Sequence, residues 1–163
     1  MLQRIAVACV MLFTISSCGS HSGKNDSAYT NDPVLFCKTV KQLNNVVLEN
    51  NFPPMIASRN YAYAGIAAYE VVAVFDPRFQ SLAGQIKHLP AFPKTDTAGV
   101  DYHLAAMLAF CKVGEAVTFP EGSMQEYVDK LKKGADSAGM SSGTIRASQR
   151  FADSISAHIL RWS

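Results

Sequence analysis

The chain has 163 residues, of which 48% are hydrophobic and 17% charged, with a formal net charge of +2. These values describe one globular domain and exclude a disordered or fibrous chain. Without any cluster of Lys and Arg they also exclude nucleic acid as a partner.

Met1 to Cys18 joins the positive charge of Arg4 to an apolar run from Ile5 to Ile15 and then to Ser16-Ser17-Cys18. A short apolar stretch before small residues has the plan of a secretory signal and is too short to span a bilayer. Ile15-Ser16-Ser17-Cys18 resembles the lipobox of bacterial lipoproteins, which implies that Cys18 is diacylated and becomes the first mature residue; an ordinary signal with an incidental cysteine is the alternative. Acyl chains at Cys18 would make membrane lipid a partner, at about 0.8 kcal/mol per buried CH₂. The expected location is therefore the bacterial cell envelope, lipid-anchored at the periplasmic face or outer membrane. Gly19 to Asp32 is rich in Ser, Gly, Asn and Asp and is expected to be a flexible tether, with His21 solvated inside it. Residues 33–163 make up the folded part.

Asp32-Pro33 opens a first amphipathic helix with Phe36, Val40, Leu43 and Val47 at helical spacing, expected to pack on the helix that follows. Asn50-Asn51 ends it and leads into Pro53-Pro54. Phe52 to Asp76 is bounded by prolines suited to a helix start and by Pro77, which bars continuation. It carries only Arg59 and Glu70 as internal charges and many alanines, so it is expected to be the central, enclosed helix of a bundle. Leu89-Pro90-Ala91-Phe92-Pro93 marks a crossing loop, with a short helical turn at Ser81 to Ile86 before it.

Thr97 is read as the cap of a third helix bearing Val100, Leu104, Met107, Leu108 and Cys111. Ser123 and Glu126 form a capping-box pair for a fourth, exposed helix to about Ala135. From Thr144 a fifth helix aligns Ser148, Phe151 or Ala152, Ile155, Ile159 and Trp162. With no strand pair and no internal repeat, the fold class is all-α, a bundle of about five helices.

Candidate chemistry is sparse. His88, His103 and His158 show no metal-ligand spacing, since Asp101 and His103, two apart on a helix, point to different sides. Cys37 and Cys111 could form a disulfide in an oxidising compartment or remain buried free thiols. Arg59 and Glu70 stand eleven residues apart, on one side of the helix but too distant to touch. Burying either requires a partner, so both are expected in structural polar pairs. There is no Gly-rich phosphate loop, nucleophile elbow or Cys-x-x-Cys. No catalytic, cofactor-binding or metal residue is nominated.

The run from Pro53-Pro54 through Arg59, Ala62, Ala67 and Tyr69-Glu70, then the Ala-rich helix from Ala98 and Phe119-Pro120, resembles the amino-terminal helical region of vanadium-dependent haloperoxidases. These are relatives of type 2 phosphatidic acid phosphatases and bacterial acid phosphatases. The resemblance covers roughly Asp32 to Trp162 and implies the first part of a larger all-α bundle that holds vanadate or a phosphoryl group between later helices. The family's oxyanion signatures include Arg-Pro and Pro-Ser-Gly-His; this sequence has no Arg-Pro and no Ser-Gly-His. Vanadate is therefore implied only for a full-length protein, and no cofactor for this chain. The resemblance implies an enzyme part that is inactive alone, with the missing C-terminal helices of the same enzyme as partners. The other reading is a self-contained helical lipoprotein that binds or supports the envelope.

Overall fold

A computed structural model describes residues 28–163. The predicted signal segment, the expected lipid-attachment residue Cys18, His21 and the expected tether up to residue 27 lie outside the described residues. Five helices follow in order: α1 Pro33–Glu49, α2 Pro54–Phe75, α3 Tyr102–Ala116, α4 Gln125–Ser137 and α5 Ser142–Trp162. Among the described residues no strand forms beyond an isolated bridge between Ala83 and Ile86. The fold is all-α, as the periodicity predicts.

The chain's own punctuation sets the helix limits. Asp32 caps α1 by accepting from the Val34 N–H at 2.9 Å, with Pro33 in the first turn. Asn51, at φ 52°, turns the chain into Pro53 and Pro54. At the far end of α2, Asp76 leaves the helix before Pro77. Ser141 caps α5 by accepting from Thr144 N–H at 3.0 Å.

Helix α3, rather than α2, is the enclosed one. Every residue from Leu104 to Cys111 is buried, as are Val113 and Gly114, and α3 contacts all four other helices. In α2 one face is buried through Ala64, Ala67, Ala68 and Val71, while Met55, Ile56 and Val74 are exposed. Both segments are apolar all round, so composition alone does not separate them; the α2 alanines let α3 approach closely but wrap nothing themselves. Phe75 joins three helices by stacking on Tyr102 at 5.6 Å and meeting Phe151 edge-on at 5.2 Å.

Three local expectations are corrected. First, α1 packs chiefly on α3. Its buried face is Thr39, Leu43, Val46 and Val47, which leaves Phe36 and Val40 exposed. Second, α3 is capped by Asp101, which accepts from Leu104 N–H at 2.8 Å, because Gly99 at φ 68° turns the chain after Thr97. Third, the capping box is not made. Helix α4 starts at Gln125 with no side-chain cap, Ser123 Oγ is buried without a partner, and Glu126 pairs with Lys130 one turn on.

Ala28 to Asp32, predicted as tether, is held against the bundle. Tyr29 packs on the core, and Thr30 is buried and donates to Asp101 Oδ2 at 3.2 Å. The crossing loop is pinned to α5. His158 Nε2 lies 3.0 Å from the Pro90 carbonyl, Phe92 rests on the His158 ring, and Trp162 Nε1 donates to Lys87 O at 3.3 Å. Among the described residues, no helix is long and apolar enough to cross a membrane.

Candidate functional site

Both charges on α2 find polar partners. Glu70 is fully buried; Oε2 accepts from the Ser81 hydroxyl at 2.8 Å and Oε1 from the Leu82 N–H at 2.6 Å. It fastens the loop after Pro77 back onto α2. Arg59, eleven residues earlier on the same side, is exposed. It donates through Nε to the Tyr63 hydroxyl at 2.8 Å and through Nη2 to the Ser163 main-chain oxygen at 3.3 Å. The shared side of the helix thus passes from open at Arg59 to sealed at Glu70. The partners of Glu70 are neutral groups, and the described side-chain ion pairs are Arg78 with Asp76, Lys112 with Asp153 and Lys130 with Glu126.

A cleft of about 730 Å³ lies between α3, α4 and α5, with Lys112, Lys132, Glu115, Glu121, Asp153 and Gln149 on its walls. The sequence gives no signal for it, because Lys112 and Asp153 meet across 41 residues. Lys112 is paired to Asp153, and Glu115 Oε1 accepts from Gly122 N–H at 2.7 Å. An oxyanion such as vanadate needs several positive donors converging on it. Here three carboxylates face two ammonium groups, so the cleft repels such an anion. The cations elsewhere are scattered: Arg78 lies against Asp76, and Arg59 stands at the other end of α2. The lining of this cleft does not fit vanadate.

A second depression of about 590 Å³ runs between α1 and α2 with α3 as its floor. Its walls are mostly apolar, with Phe36 and Val40 from α1, Gly65, Ala68 and Val72 from α2, and Met107 from α3. Phe36 and Val40 were expected in the core, and their exposure marks a place where α1 and α2 stand apart. Tyr61 closes the other end of that gap by donating to Asn44 Oδ1 at 2.7 Å.

The histidines are dispersed. His88 is exposed at φ 64°, His103 rests against Tyr102, and His158 is buried against Pro90 and Phe92. Among the described residues no three of His, Cys, Asp and Glu come together to hold a metal. Cys37 and Cys111 are free, the first exposed and the second buried. The disulfide alternative is therefore not realised, and only one of the two thiols is in the core. Burial, with a smaller contribution from Glu115, pushes the Cys111 thiol from 9.0 up to about 12.

No protein-family model and no curated protein sequence matches the chain. Among solved structures, a bacterial vanadium-dependent iodoperoxidase superposes with a TM-score of 0.73 and 30% sequence identity over 80% of this chain. The chain spans 31% of that protein's length. At this identity and TM-score the two share a fold over the matched part.

Proposed function

We propose that residues 33–163 are the non-catalytic helical part of a larger enzyme of the vanadium-dependent haloperoxidase and acid-phosphatase kind. That enzyme would oxidise halide with peroxide or hydrolyse phosphate esters, and this part alone would be inactive. The carrying observation is the superposition on a vanadium-dependent iodoperoxidase over 80% of this chain but only 31% of the other. The charge balance of the cleft between α3, α4 and α5, unsuited to an oxyanion, is in keeping with a scaffold role. In the whole enzyme these helices would support the residues that hold vanadate or phosphate.

Ile15-Ser16-Ser17-Cys18 supports a further element of the proposal: acylated Cys18 anchors the protein in the bacterial envelope. Metabolic labelling with a palmitate analogue should mark the wild type and not Cys18→Ala.

The test of function is to sequence the locus beyond the codon for Ser163 and assay its complete product for vanadate-dependent iodide oxidation and for p-nitrophenyl phosphate hydrolysis. Either activity supports the proposal and separates the two chemistries. A product without vanadate dependence or phosphatase activity favours a self-contained helical lipoprotein.

A further inference from the structure

The groove between α1 and α2 has a specific chemistry. Phe36 is 39% exposed and Val40 36%, although both lie at helical spacing with the buried Leu43. Opposite them, Gly65 and Ala68 stand three apart on α2, so they share a face and leave a shallow waist. A Cβ built on Gly65 meets nothing within 4 Å. Apart from the turn at Thr30, Asn31 and Asp32, the walls and floor belong to three helices whose main-chain groups are engaged in their own hydrogen bonds. An extended strand or irregular loop laid there would therefore bury main-chain donors and acceptors without partners. A helix brings those groups already paired, and small residues on the wall allow interaxial approach to about 8–10 Å.

We propose that this groove is the seat of one α-helix from the remainder of the enzyme, packed along Phe36 and Val40 on one side and Gly65, Ala68 and Val72 on the other. This rests on the reading under Proposed function. That reading supplies the occupant, since the matched part is 31% of the iodoperoxidase and the rest of such a protein must pack on something. The seated helix presents an apolar face with a bulky residue over Gly65, filling the space that glycine leaves open. Val72 and Met107 extend the apolar contact along the groove.

The test compares the 163-residue chain with the complete locus product by hydroxyl-radical footprinting of Phe36 and by the Gly65→Leu substitution. In the short chain Phe36 should be oxidised readily and Gly65→Leu should melt no lower than wild type. In the complete product Phe36 should react several-fold more slowly, and Gly65→Leu should restore its reactivity. Equal Phe36 reactivity in an active complete product overturns the seat while leaving the functional reading intact. Protection in the short chain that grows with its concentration makes the occupant a second copy and overturns the proposal. A locus that ends at Ser163 removes the functional reading and this seat together.

Discussion

The hydroxyl of Ser81 donates to Glu70 Oε2 at 2.8 Å, inside a site where Glu70 has no exposed surface. With the Leu82 N–H on the other oxygen, one carboxyl joins α2 to the start of the crossing loop. Removing it strands a main-chain donor and opens a cavity. Glu70→Ala should therefore lower the unfolding free energy by about 3 kcal/mol. Arg59→Ala, at an exposed position, should cost under about 1 kcal/mol. Because Arg59 and Glu70 share no partner, their double-mutant coupling in urea unfolding should stay within about 0.5 kcal/mol. A larger coupling would show that the two charges are linked through α2 despite having separate partners.

Asp101 joins three parts of the chain. Its carboxylate caps α3 at Leu104 and accepts from Thr30, while its own N–H donates to Ser148 Oγ at 2.9 Å. Asp101→Ala should cost roughly 1–2 kcal/mol, the upper part of the range for a lost N-cap. Asp101→Asn keeps an acceptor for the cap and should recover most of it. Amide hydrogen exchange in the first turn of α3 should accelerate in the alanine variant alone.

The helices were legible where proline and capping residues punctuate an apolar period, as at Asp32, Pro54 and Asp76, whereas the Ser141 cap of α5 precedes the Thr144 start that the spacing suggests. Their ranking was not. Two all-round apolar segments, Pro54–Phe75 and Tyr102–Ala116, compete for the centre, and which one is wrapped depends on contacts from α1, α4 and α5 that no local pattern records. The same holds for Ser123 and Glu126. Their spacing suits a capping box, but the turn from Pro120 to Met124 delays the helix, and Glu126 then finds Lys130 within reach. Of the candidate surfaces, the mixed-charge cleft was invisible because its pairs are remote in sequence. The groove was foreshadowed only by an apolar stripe wider than the bundle could cover.

Gly134 has Tyr29 lying directly over it, so an alanine methyl there would collide with the Tyr29 ring and hydroxyl. Burial raises the Tyr29 pKa above its usual value, as expected of a phenol held against the bundle. Gly134→Ala should displace the Ala28 to Asp32 segment and speed its cleavage by a nonspecific protease. In a Tyr29→Ala background the collision is gone, and the same substitution should stabilise the chain by up to about 1 kcal/mol through helix propensity. A change of sign between the two backgrounds identifies Tyr29 as the obstacle.

Asp76 gives a pH dependence of stated sign. Hydrogen bonds from the Arg78 guanidinium, then its N–H, hold the carboxyl down from 3.8 to about 2. A carboxyl whose folded pKa lies below its unfolded value favours the folded state at neutral pH. That contribution is lost as pH falls from about 4 to about 2. Asp76→Asn should flatten this part of the acid-unfolding profile, and carbon-detected NMR titration of Asp76 should show the depressed midpoint. A midpoint near 3.8 would mean that Arg78 does not hold the carboxyl in solution.

The two described cysteines should part company under a thiol reagent. Cys37 is exposed on α1 and Cys111 is enclosed in α3, where burial pushes its pKa up to about 12. Thiolate is the reacting form, so at pH 8 peptide mapping after brief treatment with a maleimide should find Cys37 modified and Cys111 intact. Unfolding in urea should expose Cys111 at its ordinary value of 9.0. The linkage runs opposite to that of Asp76. A folded pKa above the unfolded one leaves stability whole below about pH 9, and alkali then erodes it as pH rises toward 12. Cys111→Ser should soften that alkaline loss while lowering stability at pH 7, because a hydroxyl then occupies a site lined by apolar groups. Equal labelling of both cysteines in the folded chain would show that α3 opens on the timescale of the reaction and is not the closed centre of the bundle.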